Sequence, residues 1–480
     1  MDELLYERVA AHVEALIARG TLRGGARAPS VRKLARQQRC SVATAVLAYR
    51  TLEAKGVLEA RPQSGHYVRI AARPPLPEPR ATRTLAAPAA PAVSSLVAKV
   101  YGAARDPRVV NFGTAVPAAA LLPVERLGRI VARLARTELA QHIHYDVPPG
   151  NVHLRRQIAR RSVEWGCALG EDDFVTTVGA MEALHLALRA VTQPGDVIAV
   201  ESPTYYGLLQ LIESLGLRVV EIPAHPGVGL DLAALEEALA QHRVRAVLAM
   251  PNFNNPLGSL MPEANKKELV EMLARREIPL IEDDLYGDLH HQGERPRSAK
   301  AFDRDGNVLL CGSVSKTIAP GFRVGWIAPG RHRDRVEALK FAQSVGTPPL
   351  LQVAVAELME AGGYDRHLRG MRTALAAQVQ HTRDAIATLF PPGTRVSRPQ
   401  GGFVLWVELP HGVRALDVHQ RALAARISVA PGPIFSARGK FSGYLRLSCG
   451  HPWTPELEAA VRTLGQIVEG LGARPLARTA

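Results

Sequence analysis

The chain has 480 residues, 47% of them hydrophobic and 22% charged, enough to bury a large core and too apolar for a disordered chain. At roughly 100–200 residues per domain, this length predicts about three domains, or one small domain and one large composite one. The 59 basic side chains exceed the 45 acidic ones by a formal +14, an excess large for an ordinary metabolic enzyme that asks for an anionic partner.

The excess is concentrated at the start. Residues 1–70 hold 12 Lys/Arg against 6 Asp/Glu, and no acidic residue falls between Ala15 and Leu52. Leu5, Val9, Val13, Leu16 and Ile17 recur at helical spacing, and Gly20 ends that first helix. Ser30 caps a short helix over about 31–38. Ser41 caps a third, whose Val42, Val46, Tyr49 and Leu52 form an inner stripe and whose Gly56 stops it. Two extended segments, 57–61 and 66–70, flank a turn at Pro62-Gln63-Ser64-Gly65.

Three short helices and a hairpin are the plan of a winged helix-turn-helix. The third helix then enters a major groove with Ser41 and Thr44 near base edges or phosphates. Arg27, Ser30 and Arg32 stand at or before a helix N-terminus, a setting that favours phosphate. The wing tip, Ser64-Gly65-His66, reaches toward a minor groove. These residues resemble the GntR family of bacterial repressors through Ala28-Pro29-Ser30-Val31-Arg32-Lys33-Leu34-Ala35, Ala48-Tyr49-x-x-Leu52-Glu53-x-x-Gly56 and Arg61-Pro62-x-Ser64-Gly65. Many members carry Ser-Arg-x-Thr at the recognition helix. This chain has Ser41-Val42-Ala43-Thr44 there and lacks that arginine.

Residues 71–95 contain six prolines and read as a semi-extended linker. As a free polyproline-like tether, this stretch would span on the order of 75 Å.

From about residue 96, helices alternate with short apolar strands at 174–178, 197–200, 219–222, 246–250, 280–282, 308–310 and 324–327. That alternation predicts an α/β domain with a mostly parallel sheet. A smaller α+β portion follows from about 393, with strands at 403–408 and 444–448.

The chemistry gathers at strand ends. Lysine is scarce, 9 of the 59 basic residues, and Lys316 sits in the small polar run Gly312-Ser313-Val314-Ser315-Lys316-Thr317. With a hydroxyl three residues before it and Arg323 seven after, it can form a Schiff base beside a bound phosphate. Asp283 ends the strand 280–282, where a carboxylate can keep a pyridinium nitrogen protonated, and Tyr286 and Asn255 can reach the ring oxygen. Gly179-Ala180-Met181 opens a helix and makes a phosphate cradle, and Tyr205 can stack on a ring.

Together these motifs resemble the fold-type I, pyridoxal-phosphate-dependent aminotransferases over about 96–475. By that resemblance Lys316 carries the cofactor Schiff base, Asp283 partners the pyridine nitrogen, and Asn255 and Tyr286 bond the ring oxygen. Tyr205 stacks on the ring, and Gly179, Ala180, Ser313, Ser315 and Arg323 hold the phosphate, with Met181 beside them. Tyr145 matches the segment that reaches a neighbouring subunit's cofactor. Arg446, in Tyr444-Leu445-Arg446-Leu447-Ser448, matches the arginine that clamps a substrate carboxylate.

A GntR-type head followed by such a domain is the layout of the MocR subfamily of transcriptional regulators. The expected domains are the winged helix at 1–70, the linker at 71–95 and the cofactor-binding, dimerising domain at 96–480. The resemblance implies a homodimer that binds operator DNA and senses an amino compound. The alternative is a working aminotransferase with an incidental DNA-binding module. No run of about 18 apolar residues predicts a membrane span, and Met1-Asp2-Glu3-Leu4-Leu5 is wrong for a secretory signal. Scattered Cys40, Cys167, Cys311 and Cys449 fit a reducing cytoplasm. The sixteen histidines show no metal-ligand spacing, and His290-His291 reads as an exposed loop pair.

Overall fold

The computed structural model describes residues 5–19, 21–22, 26–61, 65–68, 76–81, 87–103, 106–360 and 362–473. The chain divides into two compact units, Met1–Pro75 and Leu76–Ala480.

In the first unit, helices α1 (Leu5–Ala18), α2 (Val31–Gln37) and α3 (Val42–Ala54) precede an antiparallel hairpin of β1 (Leu58–Arg61) and β2 (Gly65–Val68). Ser30 and Ser41 accept hydrogen bonds from the backbone N–H groups of Lys33 and Thr44, so each caps its helix. Arg39, at φ 50°, turns the chain between α2 and α3. Val9, Val13, Leu34, Ala45, Ala48, Tyr49, Leu52, Leu58 and Val68 form the core. The stripe read from sequence needs one correction: Val42 is 51% exposed, and Ala45 and Ala48 take the inner positions instead. Val42 is the first residue of α3, directly after the Ser41 cap. The turn residues 62–64, including Ser64, and residues 69–70 lie outside the described residues.

In the second unit, helices α4 (Ser94–Ala103), α5 (Val124–Thr137) and α6 (Val152–Ser162) and the short strand β3 (Val110–Asn111) lead into an eight-stranded sheet. Its strands are β4 (Val175–Thr177), β5 (Val197–Ser202), β6 (Arg218–His225), β7 (Gly229–Leu230), β8 (Val244–Ala249), β9 (Leu280–Asp283), β10 (Val308–Ser313) and β11 (Gly325–Ala328). The order is β4-β11-β10-β9-β8-β5-β6-β7, with β10, β9, β8, β5 and β6 parallel. Strand β11 runs antiparallel between β10 and β4, so β4 points the same way as the central strands, and the edge strand β7 runs antiparallel to β6. The parallel strands read as unbroken apolar runs because both faces are covered. Helix α7 (Ala180–Val191) leaves β4 and packs across β9, β10 and β11. A smaller antiparallel sheet follows: β12 (Arg395–Val396), β13 (Val404–Glu408), β15 (Ala430–Pro431) and β16 (Tyr444–Ser448). Strand β14 (Ile427–Ser428) pairs with β3.

The proline-rich stretch is not wholly a free tether. The backbone N–H of Val396 donates to Pro77, that of Arg80 to Glu408, and Ala89 exchanges both backbone bonds with Val219. Residues 76–81 and 87–95 are therefore surface of the large unit, and the reach expected of 25 extended residues shrinks accordingly.

Candidate functional site

The carboxyl ends of β4, β5, β8, β9 and β10 meet at a cavity of about 150 Å³. Its lining includes Met181, Tyr205, Asn255, Asp283, Tyr286, Ser315, Lys316 and Arg323, residues that are far apart in the chain. Parallel strands bring their C-terminal loops to one edge, which is why one cavity collects them.

Lys316 follows β10 on a short turn, where its Nζ donates to the Ala115 carbonyl at 2.8 Å and lies 6.0 Å from the Tyr286 ring centroid. Burial, reinforced by Arg446 and opposed by Asp283, lowers its pKa to about 8. Asp283 is fully buried at the end of β9, and neither carboxylate oxygen has a hydrogen-bond partner. Burial first, then the neighbouring charge of Asp284, pushes its pKa up to about 8. Asp284 itself points away, accepting from Arg295 at 2.5 Å and Asn252 at 3.1 Å.

Gly179, at φ 76°, precedes α7, and a Cβ there would fall on the Arg323 guanidinium. Glycine is therefore required for two reasons, backbone and space. Arg323, itself at φ 55°, donates to Ser315 Oγ at 3.4 Å and to the carbonyls of Pro320 and Val178. Ala180 opens α7 beside it. Ser313 Oγ accepts from the Ser315 backbone at 3.1 Å, so it shapes the lysine turn and is not part of the cavity lining. Tyr205 lies over Gly207, where a Cβ would approach its ring to 2.5 Å. Tyr286 packs edge-on against Phe403.

Arg446, on β16, is completely buried and donates to the Gly113 carbonyl, leaving Nε and Nη1 without partners. Asn255 Oδ1 is likewise unsatisfied. Unsatisfied buried polar groups are costly in a native fold; those of Asp283 and Asn255 line the cavity, and the charge of Arg446 acts on Lys316 beside it. The residues fit pyridoxal phosphate.

Tyr145 is 83% exposed and does not enter this chain's cavity. Sequence reasoning missed Glu201, at the end of β5, which accepts from the Met250 backbone at 2.8 Å and Asn254 at 2.7 Å and so sets the loop bearing Asn255. It also missed Ala115 and Val116, which line the cavity from the loop after β3. Only the conspicuous Asn252-Phe253-Asn254-Asn255 run hinted at such an anchor. His290 is buried and His291 bonds the Gly402 carbonyl at 2.8 Å, correcting the expectation of an exposed pair. The loop folds back on residues 400–402, a contact invisible in local sequence. Among the described residues, no group of three His, Cys, Asp or Glu side chains could hold a metal ion. No helix there is long and apolar enough to cross a membrane.

In the first unit, Arg27 bridges Tyr67 on β2 and lies 3.5 Å from where a Gly65 Cβ would stand, so Arg27 and the wing share one edge. Arg32 is exposed on α2. Ser41 Oγ and Thr44 Oγ1 stand 2.7 Å apart and bond each other. His66 lies 3.2 Å from Glu53, with its ring tilted 56° against that of Tyr49.

Fold and cavity define a class: a winged helix-turn-helix joined to a fold-type I aminotransferase domain. Residues 5–68 match the bacterial regulatory proteins of the gntR family, and residues 129–464 match aminotransferase class I and II. The chain belongs to the aminotransferase class I and II family, in the MocR-type branch that fuses that domain to a GntR head. It is 37% identical over 464 residues to the Uncharacterized HTH-type transcriptional regulator YjiR of Escherichia coli, covering 96% of this chain and 98% of that one. It is 31% identical over 382 residues to 2-aminoadipate transaminase of Thermus thermophilus, covering 79% and 94%. The crystal structure of LysN, an alpha-aminoadipate aminotransferase from Thermus thermophilus complexed with N-(5'-phosphopyridoxyl)-L-leucine, superposes with a TM-score of 0.72. That pair is 29% identical, covering 80% of this chain and 99% of LysN.

Proposed function

We propose that this protein is a cytoplasmic, DNA-binding transcriptional regulator that holds pyridoxal phosphate at Lys316 and senses an amino compound there. The observation that carries this reading is the pairing of Lys316 with a partnerless, buried Asp283 in one cavity, on a chain that also has a winged helix. When bound, the cofactor supplies an aldehyde that primary amines condense with and a ring that draws electrons from them.

This chain's residues do the rest. With the cofactor bound, Asp283 would hold a proton at the ring nitrogen, Asn255 and Tyr286 would bond the ring oxygen, and Tyr205 would cover the ring. Gly179, Ala180, Ser315 and Arg323 would receive the phosphate. Lys316, brought near neutrality, can give up or take a proton. The free nitrogens of Arg446 take the effector's carboxylate.

Arg27, Ser30, Arg32, Ser41, Thr44, Gly65 and His66 form the DNA edge, with Ser30, Ser41 and His66 chiefly shaping it. The working division is a head at 1–70 and an effector domain at 96–480, joined by a stretch, 71–95, of which 76–81 and 87–95 pack on the effector unit. The effector domain dimerises. Tyr145 is exposed beside Ile143 and Val147, an apolar run that a second copy would cover while Tyr145 completes that copy's cavity. Effector binding shifts the dimer between two arrangements of its heads, which requires different affinity for the two.

The deciding experiment is mobility shift of the DNA upstream of the protein's own gene, with and without a panel of amino acids. Retardation altered by one of them supports the regulator. A second reading, a working aminotransferase, is favoured by the complete Lys316–Asp283–Arg446 set; sustained turnover of amino acid with keto acid, and DNA binding indifferent to amino acids, would establish it.

A further inference from the structure

The outer face of α3 poses a problem for sequence-specific binding. Its buried side is Ala45, Ala48, Tyr49 and Leu52. Helical spacing therefore turns Ala43, Leu47 and Arg50 outward, with Val42 exposed at the leading end. Val42 is 51% and Leu47 46% exposed, two of the large hydrophobic side chains most open to water in this unit. The polar candidates nearby are already engaged. Ser41 Oγ caps the Thr44 N–H at 3.0 Å and bonds Thr44 Oγ1 at 2.7 Å, leaving one hydroxyl hydrogen between the two for any other acceptor. An apolar strip thus occupies the positions where a groove-reading helix would carry its donors.

The surroundings say what covers the strip. Arg32, Lys33 and Arg36 on α2, Arg39 in the turn and Arg50 on α3 are all exposed, and no acidic residue interrupts them. A protein partner would need a dense acidic rim around an apolar centre. A DNA duplex offers that combination throughout its length, with phosphates on both rims and, on the major-groove floor, the C5-methyl group of thymine as the apolar feature of the base edges.

We infer that this head reads its half-site by apolar contact, with Val42, Ala43 and Leu47 packing on thymine C5-methyl groups in the major groove. The inference rests on the DNA-binding reading above and names its ligand class: a duplex with thymine at the contacted positions. The arginines and lysine supply affinity without sequence preference, and the aliphatic side chains supply the choice of base.

The test uses the full-length protein. Duplexes are selected from a random-sequence library, and the enriched duplex is resynthesised with deoxyuridine in place of thymidine, which removes the methyl and keeps every base-pairing and groove hydrogen bond. Affinity should fall about three- to fivefold for each contacted methyl lost, the effect of one buried methylene-sized group. Val42→Ala should weaken binding to the thymidine duplex by a similar factor and be insensitive to uridine at the same position. Its dependence on salt should match the parent's, since no phosphate contact is removed. Equal affinity for the two duplexes, or a Val42→Ala loss that is the same on both, would overturn the inference while leaving DNA binding intact. If no duplex is retained at all, the DNA-binding reading fails and the inference falls with it. The strip would then belong to a protein interface, visible as a Val42- and Leu47-dependent change in sedimentation.

Discussion

Lys316 and Asp283 are displaced in opposite directions to the same place: burial brings the lysine down to about 8 and the aspartate up to about 8. Each is then poised to exchange a proton near neutrality, and each makes the cofactor-free cavity a burden on the fold. Such opposed shifts at one cavity are what a proton-handling site needs.

The sign of the resulting pH dependence can be worked out for the cofactor-free protein. Unfolded, Asp283 loses its proton near 3.8; folded, it keeps it to about 8. Between those values unfolding releases a proton, so this group's contribution to stability falls as pH rises. Lys316 behaves oppositely: unfolded it holds its proton to 10.5 and folded only to about 8, so its contribution rises with pH across that window. In thermal denaturation the downward slope between 3.8 and about 8 should be steeper in the parent than in Asp283→Asn, which keeps only the part due to other buried carboxyls such as Glu201 and Glu282. Parallel slopes would refute the assignment.

Lys316 is the covalent anchor. The purified protein should be yellow, and borohydride should fix the chromophore to the peptide bearing Lys316. In Lys316→Ala the fixed adduct should vanish while circular dichroism stays that of the parent, because only one cavity side chain changes. An adduct surviving in the variant would place the anchor elsewhere.

Gly179→Ala should damage the phosphate cradle. The added methyl collides with the Arg323 guanidinium and the backbone stands at φ 76°, a strain of about 1–3 kcal/mol. Retention of the cofactor on dialysis should drop about tenfold or more, with the chain still folded. An unchanged dissociation constant would mean that Arg323 does not face the phosphate.

The basic head predicts a steep salt response. If about four to six phosphates are neutralised per head, log affinity should fall against log salt with a slope near −4 to −5. Arg32→Ala should lower that slope by about one and weaken all sequences alike. Binding that persists after deletion of residues 1–70 would exclude the head as the DNA-binding unit.

Tyr145→Ala should loosen the cofactor by about tenfold although the side chain is outside its own chain's cavity, if each copy completes its neighbour's site. Sedimentation at micromolar concentration should show a dimer. A fully loaded monomer would contradict the shared site.

Much of this was legible in the sequence because it is written in short-range pattern. Periods of 3.6 in α1 and α3 and the apolar runs of β5, β8 and β9 specify elements locally. The residues after those strands are grouped because parallel strands end on one side, so Asp283 and Lys316 needed no coordinates to be paired. What each side chain does once there depended on neighbours distant in the chain. Ser41 and Thr44 look like free hydroxyls until their mutual bond is seen. Val42 fits an inner stripe until its exposure is seen. His290 looks like a loop residue until residues 400–402 fold over it. The reversal of β11 between β10 and β4, and Pro77, whose carbonyl accepts from Val396 of the large unit, follow from the same cause. Local sequence determines which element forms, because propensity and capping act over a few residues. Tertiary packing alone decided which polar atoms remain unsatisfied, and those of Asp283, Asn255 and Arg446 are the ones that define the site.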